Sequence, residues 1–139
     1  MMTRLALAGL LSLLAPFARA DSAANLYLLH CAGCHLTDGS GSKIGRVPPF
    51  PGMLGPIAGA KDGRAYVVLV PGVANTDLSD ADAAAVLNYA LAQWGGDATF
   101  KPYTADEVRA IRTRQVDDIA DMRRRIAAEL KPRGVSIDY

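Results

Sequence analysis

The sequence has few cysteines, few aromatic residues and almost no net charge. Only two of its 139 residues are cysteine, which excludes a disulfide-dense scaffold. Aromatic residues make up 6% of the chain, and 15 basic residues nearly balance 14 acidic ones. A chain this close to neutral has no electrostatic reason to bind nucleic acid. The remaining composition, half hydrophobic and 21% charged, is that of an ordinary globular protein.

The chain also lacks an apolar run long enough to cross a bilayer, which needs about 20 residues. Its most apolar stretch follows Arg4, runs from Leu5 to Leu14 and leads to Ala18-Arg19-Ala20. This pattern is typical of a secretory signal peptide. We therefore predict a signal peptide over residues 1–20, cleavage before Asp21, export to the periplasm and no membrane span afterwards. Cleavage leaves 119 residues, enough for one domain.

The two cysteines lie three positions apart and are followed at once by a histidine, in the run Cys31-Ala32-Gly33-Cys34-His35. Two thiols at this spacing on a helical turn can each form a thioether bond to one porphyrin, and the adjacent imidazole can bind its iron. A redox-active thiol pair needs a βαβ context, whereas only a short helix fits upstream. A zinc site needs two further ligands of the Cys or His type, and only His30 remains. The motif thus predicts one covalent haem c, with Cys31 and Cys34 as attachment points and His35 as the proximal iron ligand.

Helices and loops are predicted around the motif. Residues 21–30 form a short helix that ends at the motif, and the glycine-rich residues 36–45 form a loop. Three prolines make residues 47–52 an extended segment that packs against something flat and apolar. Residues 61–70 are strand-like in composition, yet a short helix before Pro71 fits equally well.

A capping pattern of Ser79 and Asp82 opens a helix that Gly95-Gly96 ends. An apolar stripe at helical spacing gives this helix a buried face. The stripe consists of Ala83, Val86, Leu87, Ala90, Leu91 and Trp94.

A second capping pattern, Thr104 and Glu107, opens a longer helix that runs to about Lys131 and stops at Pro132. Its apolar stripe needs cover, either from the rest of the chain or from a partner. The stripe consists of Val108, Ile111, Ile119, Met122, Ile126 and Leu130. We expect an all-α protein with a domain over residues 21–96 and a C-terminal helical extension over residues 97–139.

From Ala23 to Trp94 this order of elements resembles the class I c-type cytochromes, small all-α haem domains of the mitochondrial type. Tyr27 stands where that family has an aromatic residue that packs on its last helix. The run Asp38-Gly39-Ser40-Gly41 resembles the family's glycine loop after the motif. The resemblance implies that the Pro48 carbonyl accepts a hydrogen bond from the proximal imidazole and that Phe50 packs against the haem.

The sequence departs from this family at the second iron ligand. The family usually supplies a methionine before its last helix, and Val70-Pro71-Gly72 occupies that place here. Valine cannot bind iron, and the mature chain has only two methionines, Met53 and Met122. Met122 falls on the stripe of the last predicted helix and is expected in the core. Met53 lies in the segment that would pack on the proximal side, where it either fills the core or, after a loop rearrangement, binds the iron as distal ligand.

Two functions remain open. The first is an electron carrier, not an enzyme, that takes electrons from an exported dehydrogenase or a membrane complex and delivers them to a terminal acceptor. The second is a five-coordinate haem protein whose open distal site near Val70 binds a small gas. Peroxide chemistry is disfavoured, because no distal His or Arg is evident.

Overall fold

The computed structural model describes residues 22–97, 99–114 and 118–137, so the predicted signal peptide lies outside the described residues. Within these ranges the regular secondary structure is helical, apart from one isolated antiparallel bridge between Ser42 and Val47, which confirms the all-α fold. None of the described helices has the length and hydropathy to cross a membrane. The helices are α1 (Ala23–His30), α2 (Ala32–His35), α3 (Leu54–Gly59), α4 (Gly63–Leu69), α5 (Pro71–Ala74), α6 (Asp80–Trp94), α7 (Ala105–Arg112) and α8 (Ile119–Leu130), followed by a 3₁₀ turn, Lys131–Arg133.

Helices α1 and α6 pack together through aromatic side chains. Tyr27 of α1 is 1% exposed, and its ring centroid lies 4.9 Å from that of Trp94 and 5.8 Å from that of Tyr89. Ser79 caps α6 by accepting a hydrogen bond from the Asp82 N–H, as the sequence predicts. The Cys31–His35 segment, which follows α1, is therefore attached to a packed pair of helices.

The ambiguous segment of residues 61–70 is a helix, α4. Four successive residues, Ala65 to Val68, are buried, so the segment has no polar face from which its period could be read. Contacts with α3, α7 and α8 surround it. Tertiary packing thus overrides the β-branched composition of this segment.

In the described residues of the C-terminal extension there are two helices, α7 and α8, so the prediction of one long helix is wrong. Thr113 ends α7, and its hydroxyl donates to the Ala110 carbonyl at 3.0 Å. Asp118, with an extended backbone, starts α8 by accepting the Ala120 N–H at 2.8 Å. The apolar stripe has a gap between Ile111 and Ile119, and the two caps lie in this gap.

The extension folds back over the domain and covers α4. Helix α7 contacts α6 and α4, whereas α8 contacts α4 and α3. The extension residues Tyr103, Val108, Ile111, Met122, Ile126 and Leu130 are all buried in the same core as α1, α3, α4 and α6. The cover that this apolar stripe requires is therefore provided by the chain itself.

Candidate functional site

Cys31 and Cys34 stand on one helical turn at the end of α1. The N–H groups of Cys34 and His35 donate to the Cys31 carbonyl at 3.2 and 2.9 Å, which closes the turn. Both thiols are free; Cys31 is half-buried and Cys34 is exposed. Burial raises the pKa of the Cys31 thiol, and the neighbouring Cys34 raises it further. The two thiols thus lie three residues apart on one helical turn, and neither forms a disulfide.

The imidazole of His35 is fixed on two sides. Its Nδ1 lies 3.1 Å from the carbonyl oxygen of Pro48. A carbonyl only accepts hydrogen bonds, so Nδ1 carries the proton and donates. The ring stacks on Phe50, with centroids 4.0 Å apart and planes 19° from parallel. Burial lowers the pKa of His35, against a smaller opposite effect of the Pro48 bond, so the ring favours its neutral form with Nε2 available as a ligand.

A small loop holds Pro48 in place against the motif. Ser42 and Val47 exchange two backbone hydrogen bonds of 3.0 and 2.8 Å, and the Gly41 N–H donates to the His35 carbonyl at 3.0 Å. Gly41 has a φ of +67°, and a Cβ at this position would lie 2.6 Å from the Pro48 oxygen. Only glycine therefore lets the loop approach the carbonyl that His35 uses.

Tyr27 anchors the backbone that leaves the motif. Its hydroxyl donates to the Leu36 carbonyl at 2.6 Å, and burial raises the pKa of Tyr27 to about 12. Leu36 has a φ of +62°, a conformation that costs a non-glycine residue on the order of 1–3 kcal/mol. The tyrosine hydrogen bond helps to hold this strained residue directly after His35.

The segment of residues 70–79, here named the connection, lies beside the motif. It joins α4 to α6 and contains α5. Its Asp77 carboxylate lies 3.7 Å from Nδ1 of His30, the residue that precedes Cys31. Val70 and Val73 are partly buried against the core. Met53 is also partly buried, and its N–H donates to the Phe50 carbonyl at 3.0 Å at the start of α3.

Comparison with known proteins identifies the family. Over 121 residues the chain is 36% identical to cytochrome c-552 of Thermus thermophilus (strain ATCC 27634), with 71% of this chain and 79% of that protein covered. It is 35% identical over 108 residues to a second cytochrome c-552 of Thermus thermophilus, with 62% and 81% covered. The chain belongs to the c-type cytochromes. No family model matches this cytochrome.

The cofactor of a c-type cytochrome is covalently bound haem c, and the residues present fit it. The two thiols are free and one turn apart, and the adjacent imidazole offers Nε2 because Nδ1 is occupied. Cys31 and Ala32 of the turn are themselves partly buried and pack against the core, so a flat apolar group lying on the turn would bury them further.

Arg112 of this cytochrome contacts the connection, which the sequence does not predict. It stands in α7 and reaches the connection, where it donates to the carbonyls of Leu78 and Val73 at 2.9 and 3.3 Å. In the sequence it is one of several arginines in a charged, amphipathic stretch. No local pattern distinguishes it, because its partners are more than 30 positions away.

Proposed function

We propose that this cytochrome carries single electrons between redox partner proteins, with its haem attached to Cys31 and Cys34 and with His35 as the proximal iron ligand. The His35 imidazole is the observation that supports this assignment most directly. Its Nδ1 donates to the Pro48 carbonyl, an arrangement that fixes the tautomer and leaves Nε2 for a metal. Haem, when bound, supplies an iron that gains or loses one electron.

The residues around His35 are suited to that one-electron change. The Pro48 carbonyl fixes the rotation of the imidazole, and Phe50 packs flat against one face. A ligand held in this way moves little between oxidation states, which lowers the cost of electron transfer.

We propose an exported dehydrogenase or a membrane complex as electron donor and a terminal acceptor protein downstream. Transient redox complexes bury little surface, below about 1,200 Å², which suits rapid release of the partner. The basic and apolar start of the sequence supports export to the periplasm, with residues 1–20 as the signal peptide. The haem-binding part is then residues 21–96, with residues 97–139 as an added helical extension.

The attachment is tested by the substitution Cys31→Ser in the protein produced with its leader. We expect most haem to be lost from the denatured polypeptide on a haem-stained gel, because one of two thioether bonds cannot form. Thr37→Ser, at an exposed position just after the motif, serves as the control and should stain fully. Full staining of Cys31→Ser would refute the assignment.

We further propose that this is a class I cytochrome without the usual distal methionine. The connection contains no Met, His or Lys among its ten residues, 70–79, and it leads directly into α6. This observation favours a second candidate function, a five-coordinate haem protein that binds a small gas at the sixth position of the iron. We propose no peroxidase activity, since the connection also lacks an arginine to assist cleavage of peroxide.

Met53 remains the alternative sixth ligand, and spectra of the purified protein distinguish the possibilities. Sharp low-spin bands on reduction, with a weak near-infrared sulfur-to-iron band on oxidation, would support a closed carrier and exclude the five-coordinate state. High-spin bands that shift promptly with carbon monoxide would support the gas-binding protein. Met53→Leu keeps the side-chain volume but removes the sulfur, and Met122→Leu is its matched control. Unchanged spectra for Met53→Leu would exclude Met53 as ligand.

A further inference from the structure

Arg112 joins the C-terminal extension to the middle of the connection and to its C-terminal end. Its Nη1 donates to the Leu78 carbonyl at 2.9 Å and to Asp80 Oδ1 at 3.0 Å, and its Nη2 donates to the Val73 carbonyl at 3.3 Å. The side chain is 19% exposed, so solvent competes little for these bonds. The guanidinium thus links Val73 to Leu78 and Asp80, which are five and seven residues further along the chain.

The connection is held from within over its first half. There the N–H groups of Val73 and Ala74 donate to the Val70 carbonyl at 2.8 and 2.9 Å and close α5, a helix of four residues that is too short to be stable alone. A later backbone bond, from the Thr76 N–H to the Val73 carbonyl, is longer, at 3.4 Å. The part of the connection that follows Thr76 therefore depends on contacts from other elements.

Arg112 makes these contacts at an energetic cost. Its Nε is buried and has no hydrogen-bond partner among the residues that the structure describes. A buried N–H without an acceptor is unfavourable, and the charge-assisted bonds made by Nη1 and Nη2 offset this cost. The position of the guanidinium is thus determined by the carbonyls of the connection.

The connection borders the haem attachment turn. Asp77 lies 3.7 Å from His30, which immediately precedes Cys31, and Cys31, Val70 and Val73 are all partly buried residues that pack against the one core. The connection thus lies next to the segment that would hold the haem.

We propose that Arg112 is a positioning residue that restrains the connection and so limits how fast a small ligand reaches the sixth position of the iron. This inference rests on the haem attachment proposed above.

The inference is tested with Arg112→Ala in the haem-loaded, full-length protein. Hydrogen exchange reports opening of the backbone amides of residues 72–78, and stopped-flow absorbance reports association of carbon monoxide with the reduced protein. We expect both to be about tenfold faster than in the wild type, since the loss of these bonds favours local opening. Arg109→Ala is the matched control: Arg109 also lies in α7 and pairs with Asp80 at 3.3 Å, but it is 63% exposed and its other ion pair is to Asp106. The control should match the wild type in both measurements.

Arg112→Lys is the second variant, in case the alanine variant does not fold. A lysine keeps the charge but lacks the planar fork, so we expect intermediate rates in both measurements. Faster exchange without faster carbon monoxide binding would overturn the inference, as would equal effects of Arg112→Ala and Arg109→Ala. Wild-type rates in both variants would overturn it as well. A wild-type protein without covalent haem would refute the proposed function and this inference together, whereas the other outcomes leave the proposed function untouched.

Discussion

At the scale of single residues, Pro48 links the loop to the motif through one carbonyl oxygen. The oxygen accepts the Nδ1 proton of His35, and Gly41 approaches it so closely that no side chain fits between them. A hydrogen bond at Nδ1 increases the electron donation of an imidazole at its other nitrogen. A loop residue 13 positions from His35 therefore influences the proposed iron ligand.

Gly41→Ala should disturb this arrangement in two measurable ways. The added methyl group displaces the Pro48 carbonyl, and the positive φ strains the alanine, so we expect a loss of about 1–3 kcal/mol in the free energy of unfolding. We also expect a more positive reduction potential, because His35 donates less electron density to the iron. Gly96→Ala is the control, since Gly96 has a φ of +76° and an added Cβ there would meet no atom within 4 Å. It should lower stability only; an equal change in potential in both variants would contradict the role of Pro48.

At the scale of helices, the start of α7 combines a cap with a link to α4. Thr104 accepts the Glu107 N–H at 3.2 Å, which is half of the predicted capping box. The Glu107 carboxylate does not complete the box but binds Arg64 through both oxygens, each at 2.8 Å. The Arg64 guanidinium also lies 4.0 Å over the ring of Tyr103. Glu107, which the capping pattern assigns to the start of α7, thus also binds α7 to α4.

The Arg64–Glu107 pair predicts a pH dependence of stability. The hydrogen bonds from Arg64 lower the pKa of Glu107 below its ordinary value, so the pair stabilises the fold above the unfolded pKa of about 4.3 and less as the pH falls through the folded pKa. Glu107→Gln should cost about 1 kcal/mol at pH 7, and its difference from the wild type should shrink in acid. Urea denaturation at pH 3 to 7 measures this. Asp106→Asn, at a carboxylate that is 90% exposed, should show little effect. A pH-independent difference for Glu107→Gln would rule out the ion pair as its cause.

Helix starts were more predictable from the sequence than helix lengths or long-range links. The capping signals at Ser79 and Thr104 are local, and both operate in the structure. The apolar stripe does not predict the break between α7 and α8, because a stripe indicates which residues are buried and not whether one straight helix can bury them all. The sequence left α4 open between a strand and a short helix, since Ala65 to Val68 are all buried and show no alternation of polar and apolar residues. The contacts of Arg112 could not be predicted for a different reason: its acceptors, among them two backbone carbonyls and the Asp80 carboxylate, lie more than 30 positions away.

At the scale of the whole molecule, the extension is part of the core. Asn88 of α6 exchanges two hydrogen bonds with the backbone of Tyr103, at 2.7 and 3.0 Å. Ile126 and Leu130 of α8 are 1% and 0% exposed. The predicted boundary after residue 96 therefore marks a change in sequence character rather than an edge of the packed interior.

This integration predicts a single unfolding transition that a change in α8 shifts as a whole. Ile126→Ala should lower the free energy of unfolding by about 2–4 kcal/mol, as expected for a large side chain removed from a packed core. Urea denaturation followed by helical circular dichroism and by haem absorbance should give coincident curves. Arg124→Ala, at a side chain that is 66% exposed, should shift them little. A haem curve that stays in place while the helical signal is lost earlier would show that the extension unfolds separately.

Helix α8 also bonds to a residue just before α4, far from it in the sequence. Both carboxylate oxygens of Glu129 accept the backbone N–H of Lys61, at 3.2 and 3.0 Å, across 68 positions of sequence. A ribosome releases α4 before α8, so the side of α4 that α8 contacts stays uncovered until α8 has been made. Cys31 and Cys34 emerge earlier still. The order of biosynthesis thus leaves both thiols on an incompletely folded chain until α8 has been made.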